Sequence, residues 1–227
     1  MRDKVIGRIL EDRIIAIVRG ADEDLILPLG EALLAGGISM MEITFNQAKP
    51  AGFGATLRGI AKIREHFGDR LLAGAGTVLS EAQVDMALEA GALYIVSPNT
   101  NPRVIRHTRD RGFVSLPGAL SPGECLNAHE AGADFVKLFP ASDLGTGYLK
   151  AIRAPLSHIR FLAVGGINEK NAAAFIQAGA LGLGVGGNLV NKEWMAAGRW
   201  DKIEDLARQL VKAVKEAAET PETAKKA

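Results

Sequence analysis

Short apolar runs recur along the chain, separated by longer segments whose apolar residues fall at helical spacing. The runs stand at 14–18 (IIAIV), 40–44 (MMEIT), 71–74 (LLAG), 93–96 (LYIV), 113–116 (FVSL), 135–138 (FVKL), 161–164 (FLAV) and 182–185 (GLGV). Each has the length of a strand, and the alternation with amphipathic segments is that of repeated βα units. Between them, "DEDLILPLGEALLAGG" leads with acidic residues and closes on Gly36-Gly37, as helix ends prefer. "SEAQVDMALEAG" opens with Ser80 as N-cap and ends at Gly91, and "NEKNAAAFIQAG" repeats the arrangement with Asn168 and Gly179.

Eight apolar strands alternating with helices predict an α/β chain folded as a closed (β/α)8 TIM barrel, with an extra helix at each end near 2–12 and 200–217. An open doubly wound sheet is the alternative. No GxGxxG follows the first strand, where "IIAIVRGADED" stands instead, so the dinucleotide-binding version loses support. No linker-like shift in composition interrupts 14–190, and a single domain over 1–217 is expected. The end of the chain, "AAETPETAKKA", is small, charged and interrupted by Pro221, so 218–227 reads as a frayed tail.

Composition narrows the function. The 227 residues carry a formal net charge of +1, which argues against electrostatic targeting to nucleic acid or to acidic membranes. No uncharged apolar run approaches the ~20 residues of a membrane helix, and the N-terminus is charged throughout, unlike a signal peptide. The one cysteine, Cys125, excludes an intrachain disulfide framework and fits a reducing, cytoplasmic setting. Within "SPGECLNAHEAG" it reads as a small packing residue.

Barrels of this kind carry their chemistry at the C-terminal ends of the strands, and polar residues collect there. The first strand ends at Arg19, the second carries Glu42, Thr44 and Asn46, and the third runs into "GAGT" with Thr77. The sixth holds Lys137 inside "ADFVKLFPA", and glycine pairs Gly165-Gly166 and Gly186-Gly187 follow the seventh and eighth. A lysine in a buried apolar run has its neutral form favoured. The neutral amine can attack a ketone and form a Schiff base, with a nearby buried carboxylate moving the protons. The glycine pairs leave backbone N–H groups uncovered, where barrels often bind phosphate. The bland alternatives are a chemically inert Lys137–Glu42 ion pair and tight packing at the glycines. The four histidines, His66, His107, His129 and His158, stand at no strand end, and no HxH or HExxH occurs, so no metal is expected.

These residues resemble the class I 2-keto-3-deoxy-6-phosphogluconate (KDPG) and 6-phosphogalactonate (KDPGal) aldolases. The stretches "IIAIVRG", "AGGISMMEITFN", "GAGTVL", "IVSPN", "LPGALSPGE", "FVKLFPA", "AVGGIN" and "GVGGNLV" carry the resemblance, in the family's order, over roughly 10 to 215. It implies a homotrimer that splits a phosphorylated 2-keto-3-deoxy sugar acid into pyruvate and glyceraldehyde 3-phosphate without a cofactor. By motif, Lys137 is the Schiff-base lysine and Glu42 the proton shuttle. Thr77 and Arg19 hold the pyruvate carboxylate, Pro98 and Phe139 line the pocket, and Gly165, Gly166, Gly186, Gly187 and Asn188 surround the phosphate. Asn46 stands where gluconate-type members have an arginine, and "AVGG" where many have "PTGG"; both lean toward the galactonate type. Gly187 occupies the place of a frequent serine phosphate ligand. Within the resemblance, another pyruvate-dependent aldolase of the same family, acting for example on a 4-hydroxy-2-oxo acid, is the alternative; on the residues alone a phosphate-binding barrel isomerase or synthase and an inert binding or assembly scaffold also stay open.

Overall fold

The computed structural model describes residues 1–20 and 22–219. Its strands are β1 (Ile14–Val18), β2 (Met40–Thr44), β3 (Leu72–Gly76), β4 (Tyr94–Val96), β5 (Val114–Leu116), β6 (Gly118–Ala119), β7 (Val136–Leu138), β8 (Phe161–Val164) and β9 (Gly182–Val185). The helices are α1 (Arg2–Asp12), α2 (Ile26–Ala35), α3 (Phe53–Phe67), α4 (Glu81–Glu89), α5 (Pro102–Asp110), α6 (Pro122–Glu130), α7 (Ala141–Arg153), α8 (Ala172–Gln177), α9 (Lys192–Ala196) and α10 (Trp200–Glu219). Neighbouring strands pair in parallel in the order β5-β4-β3-β2-β1-β9-β8-β7-β6.

The fifth predicted strand is two segments, because Pro117 interrupts it. Proline has no N–H to donate to a ladder, but its carbonyl accepts from Lys137 N at 2.8 Å. Ser115 O accepts from Asp134 N at 3.0 Å, and β5 pairs with β4 on its other side. The stretch 114–119 therefore bridges both ends of the strand order, and eight staves close into a barrel of the expected TIM type. The third strand lies later than predicted, ending at Gly76 instead of residue 74.

Helix starts follow the local chemistry. Ser80 accepts from Gln83 N at the head of α4, and Ser121 forms a capping box with Glu124 at the head of α6. Regular α8 begins only at Ala172, four residues beyond the predicted cap Asn168. Asn168 still opens the turn that leads into it: its carbonyl accepts from Ala172 N at 3.0 Å and its Oδ1 from Lys170 N at 2.9 Å. At the other end α10 continues to Glu219, so Ala218 and Glu219 of the expected tail are helical, while 220–227 lie outside the described residues.

Every strand residue is buried, which is why the runs are apolar without alternation. Outward positions such as Met41, Ile43, Val136 and Leu138 join the helices in one apolar layer. Inward positions, among them Met40, Leu72, Tyr94, Phe135 and Leu162, fill the barrel. Val5 and Ile9 of α1 belong to this inner cluster and close its N-terminal end. Cys125 is fully buried in the outer layer, and burial pushes its thiol up to about 11.

Candidate active site

Side chains alternate faces along a strand. With Met40 pointing inward, Glu42 does too; with Phe135 inward, Lys137 follows. The two staves are four apart around the eight, so Glu42 and Lys137 face each other across the C-terminal end of the barrel. A small cavity of about 10 Å³ touches both, walled by Ile17, Val96, Leu162 and Val164.

Glu42 is 2% exposed and Lys137 7%. Burial pushes the Glu42 carboxyl above its ordinary range, against the pull of Lys137 and Arg19. Burial likewise pushes the Lys137 ammonium below its ordinary value; Glu42 opposes the shift and Arg19 adds to it. Both groups are driven toward their neutral forms. Glycine at 76 makes the carboxylate's position possible, since a Cβ there would stand 2.7 Å from Glu42 Oε1. Beyond Lys137 the chain turns through Phe139, whose ring centroid lies 5.1 Å from Lys137 Nζ.

Two larger cavities share Arg19 in their walls; one touches Lys137 and the other neither member of the pair. One, of about 460 Å³, is lined by Lys137 and Phe139 and by the predicted loop residues Gly165, Gly166, Gly186, Gly187 and Asn188. Gly165 and Gly166 take φ of 97° and 69°, a left-handed pair that side chains disfavour. A Cβ on Gly187 would meet nothing within 4 Å, so packing does not account for glycine there. Among the described residues, the N–H groups of Gly166, Gly187 and Asn188 donate to no other group. They are open to a ligand.

The second cavity, of about 440 Å³, is lined by Thr44, Asn46 and Thr77. Thr77 has φ of 57°, an uncommon conformation for a β-branched residue, and its carbonyl accepts from Gln47 Nε2 at 2.6 Å. Such strain collects at ligand sites. Arg19 lines both cavities. Pro98 lines neither; its carbonyl backs onto Gly118, where a Cβ would stand 2.3 Å from Pro98 O.

Two lining residues have no signal in the sequence reading. Asn168 reads in the sequence only as a helix cap, and Lys192 stands in the polar segment "GGNLVNKEW" with no motif around it. The histidines lie away from the rim: His66 beside Glu31, His107 beside Asp85, and His129 edge-to-face with His158 at 5.0 Å between ring centroids.

Comparison with known proteins agrees with this arrangement. The family model described as "Aldolase: KDPG and KHG aldolase" matches residues 5–206. The chain is 38% identical to a 2-dehydro-3-deoxy-phosphogluconate aldolase of Treponema pallidum, over 89% of this chain and 93% of the relative. It is 36% identical to the 2-dehydro-3-deoxy-6-phosphogalactonate aldolase of Escherichia coli, over 91% and 96% respectively. The crystal structure of a KDPG aldolase from Legionella pneumophila, with pyruvate captured as a covalent carbinolamine, superposes with a TM-score of 0.81 at 26% identity, covering 90% of this chain and 97% of that one. Matched by the family model across nearly its whole barrel, the chain belongs to the KDPG and KHG aldolase family.

Proposed function

We propose that the protein is a class I aldolase that reversibly cleaves a 2-keto-3-deoxy-6-phospho sugar acid, of gluconate or galactonate form, to pyruvate and glyceraldehyde 3-phosphate. The observation that carries the reading is the facing pair Lys137 and Glu42, both buried and both driven toward neutrality. Relatives named for these two substrates support the choice of substrate class.

Neutral Lys137 attacks the C2 carbonyl, and the neutral Glu42 carboxyl gives its proton to the carbinolamine hydroxyl, which leaves as water to form the iminium and leaves Glu42 as the carboxylate. Glu42 takes the C4 hydroxyl proton and the C3–C4 bond breaks. The aldehyde departs, and the electron pair remains on the pyruvyl fragment as an enamine. Protonation of C3 by Glu42 restores the iminium, which water hydrolyses to pyruvate and free Lys137. Arg19, Thr77 and Asn46 hold the carboxylate on one side. Gly165, Gly166, Gly186, Gly187 and Asn188 receive the phosphate on the other, through N–H groups. Phe139 lines the path between, and Pro98 supports the wall through Gly118.

In this reading 1–217 is one domain, and three copies assemble in the cytoplasm. Exposed Leu79, Leu120 and Leu126 are apolar surface that an assembly would cover. Among the described residues, no helix is long and apolar enough to cross a membrane.

Pyruvate followed by borohydride tests the central step. Reduction of the iminium should leave a three-carbon unit on Lys137, located by peptide mapping. An intact-protein mass that does not change under this treatment ends the proposal.

A further inference from the structure

The cavity lined by the glycine loops has an unbalanced charge. Among the described residues three basic side chains line it, Arg19, Lys137 and Lys192, and no carboxylate does. Lys137 is taken up by the covalent chemistry. Arg19 acts on both members of the reacting pair and so lies toward them, whereas Lys192 bears on neither. The side-chain amides are engaged in the wall. Asn188 Nδ2 donates to Glu169 Oε2 at 2.9 Å, and Asn168 Oδ1 accepts from Lys170 N. The free N–H groups of the glycine loops offer dipoles without net charge, and among the described residues no hydroxyl side chain lines this cavity. A phosphate monoester carries about −1.5 to −2 charges at neutral pH, and among the described residues one uncommitted full charge lines this end to meet it.

That charge is on Lys192. Its residue is exposed and its ammonium makes no ion pair or hydrogen bond among the described residues. Nζ lies over the first-strand loop, 3.6 Å from where a Cβ on Gly20 would be. We infer that Lys192 is the side-chain ligand of the substrate's phosphate, and that it makes the site prefer phosphorylated over unphosphorylated 2-keto-3-deoxy acids. A lysine suits the task as a compact point charge on a flexible stem that can follow a dianion at the mouth. Lys192 also lines the second cavity, beside Thr77 and Asn46, so the carboxylate is the competing partner.

The inference rests on the aldolase reading, and the experiment separates the two. Purified wild type, K192M and K192R are assayed on a 6-phosphorylated substrate and on its unphosphorylated analogue, and half-saturating pyruvate is measured by borohydride trapping. In K192M the ratio of the two kcat/KM values should fall at least tenfold, mainly through KM for the phosphorylated acid, and K192R should restore most of it. Half-saturating pyruvate should move less than twofold. An unchanged ratio overturns the inference, and so does weakened pyruvate trapping, which would assign Lys192 to the carboxylate. Failure of the wild type to trap pyruvate would instead remove the aldolase reading itself.

Discussion

Two carboxylates are buried at opposite ends of this barrel, Asp134 at the N-terminal end and Glu42 at the C-terminal end, and they are held differently. The Asp134 side chain is 1% exposed and saturated with donors. Arg2 reaches it at 2.9 and 2.5 Å, Arg109 at 3.0 and 3.1 Å, and Ser115 N at 3.0 Å. It ties α1, α5 and β5 together. Glu42 is as deeply buried, yet no described residue donates a hydrogen bond to it; Lys137 and Arg19 act on it from beyond ion-pair contact. Burial raises the carboxyl of both. A carboxylate enclosed by donors has no lone pair left to exchange a proton with a substrate. One that faces a cavity, with its counter-charges at a distance, has. Burial of charge therefore does not by itself mark the chemistry; the unmade hydrogen bonds do.

The contrast breaks first at Glu42. Glu42→Gln keeps the shape and removes the exchangeable proton, so kcat should fall by ~10²–10⁴ while borohydride trapping of pyruvate persists. An equal loss in turnover and pyruvate binding would return Glu42 to a structural role like that of Asp134. The reciprocal change, Asp134→Ala, should destabilise the fold by about 2–4 kcal/mol by leaving two arginines and an N–H without their acceptor. Activity per folded molecule should hold, as read by denaturant unfolding beside active-site titration. A turnover defect without loss of stability would erase the distinction between the two ends.

Arg19 refines the rim. It lowers the Lys137 pKa and also holds the Glu42 carboxyl down, so Arg19→Leu moves both upward. Neutral Lys137 then appears only at higher pH, and the midpoint of adduct formation against pH should rise. Half-saturating pyruvate should increase about tenfold, a loss of ~1.4 kcal/mol. A pyruvate affinity that drops while the pH midpoint stays put would leave Arg19 as a carboxylate ligand only. The smallest effect concerns Cys125, whose thiol is buried and held near 11. Native protein should resist alkylation at neutral pH and become reactive only when unfolded, because almost no thiolate exists at that pH.

Much of the fold was legible because parallel strands are covered on both faces. Runs such as IIAIV, MMEIT, FLAV and GLGV coincide with β1, β2, β8 and β9 end to end. The fifth was less so: Pro117 breaks the ladder without ending the stave, an outcome visible only once β4 and β7 supply partners on either side. Glu42 and Lys137 stood out because charges are rare in such runs. Membership of the aldolase family sets aside the isomerase and scaffold alternatives that the residues alone left open. Asp134, two residues before β7, and Lys192, in a polar segment, gave no comparable sign. Their meaning lies in neighbours far along the chain.

Periodicity, caps and the placing of charges within apolar runs are local properties, and the sequence by itself determined them: the strands, most helix starts, and the two residues proposed for the chemistry. Closure of the barrel decided the rest. It set β2 opposite β7, turned one stretch of 114–119 into the joint between first and last pairings, and brought Arg19 and Lys192 to the border of two cavities. Desolvation and field depend on what surrounds a group in three dimensions, and no spacing along the chain encodes that.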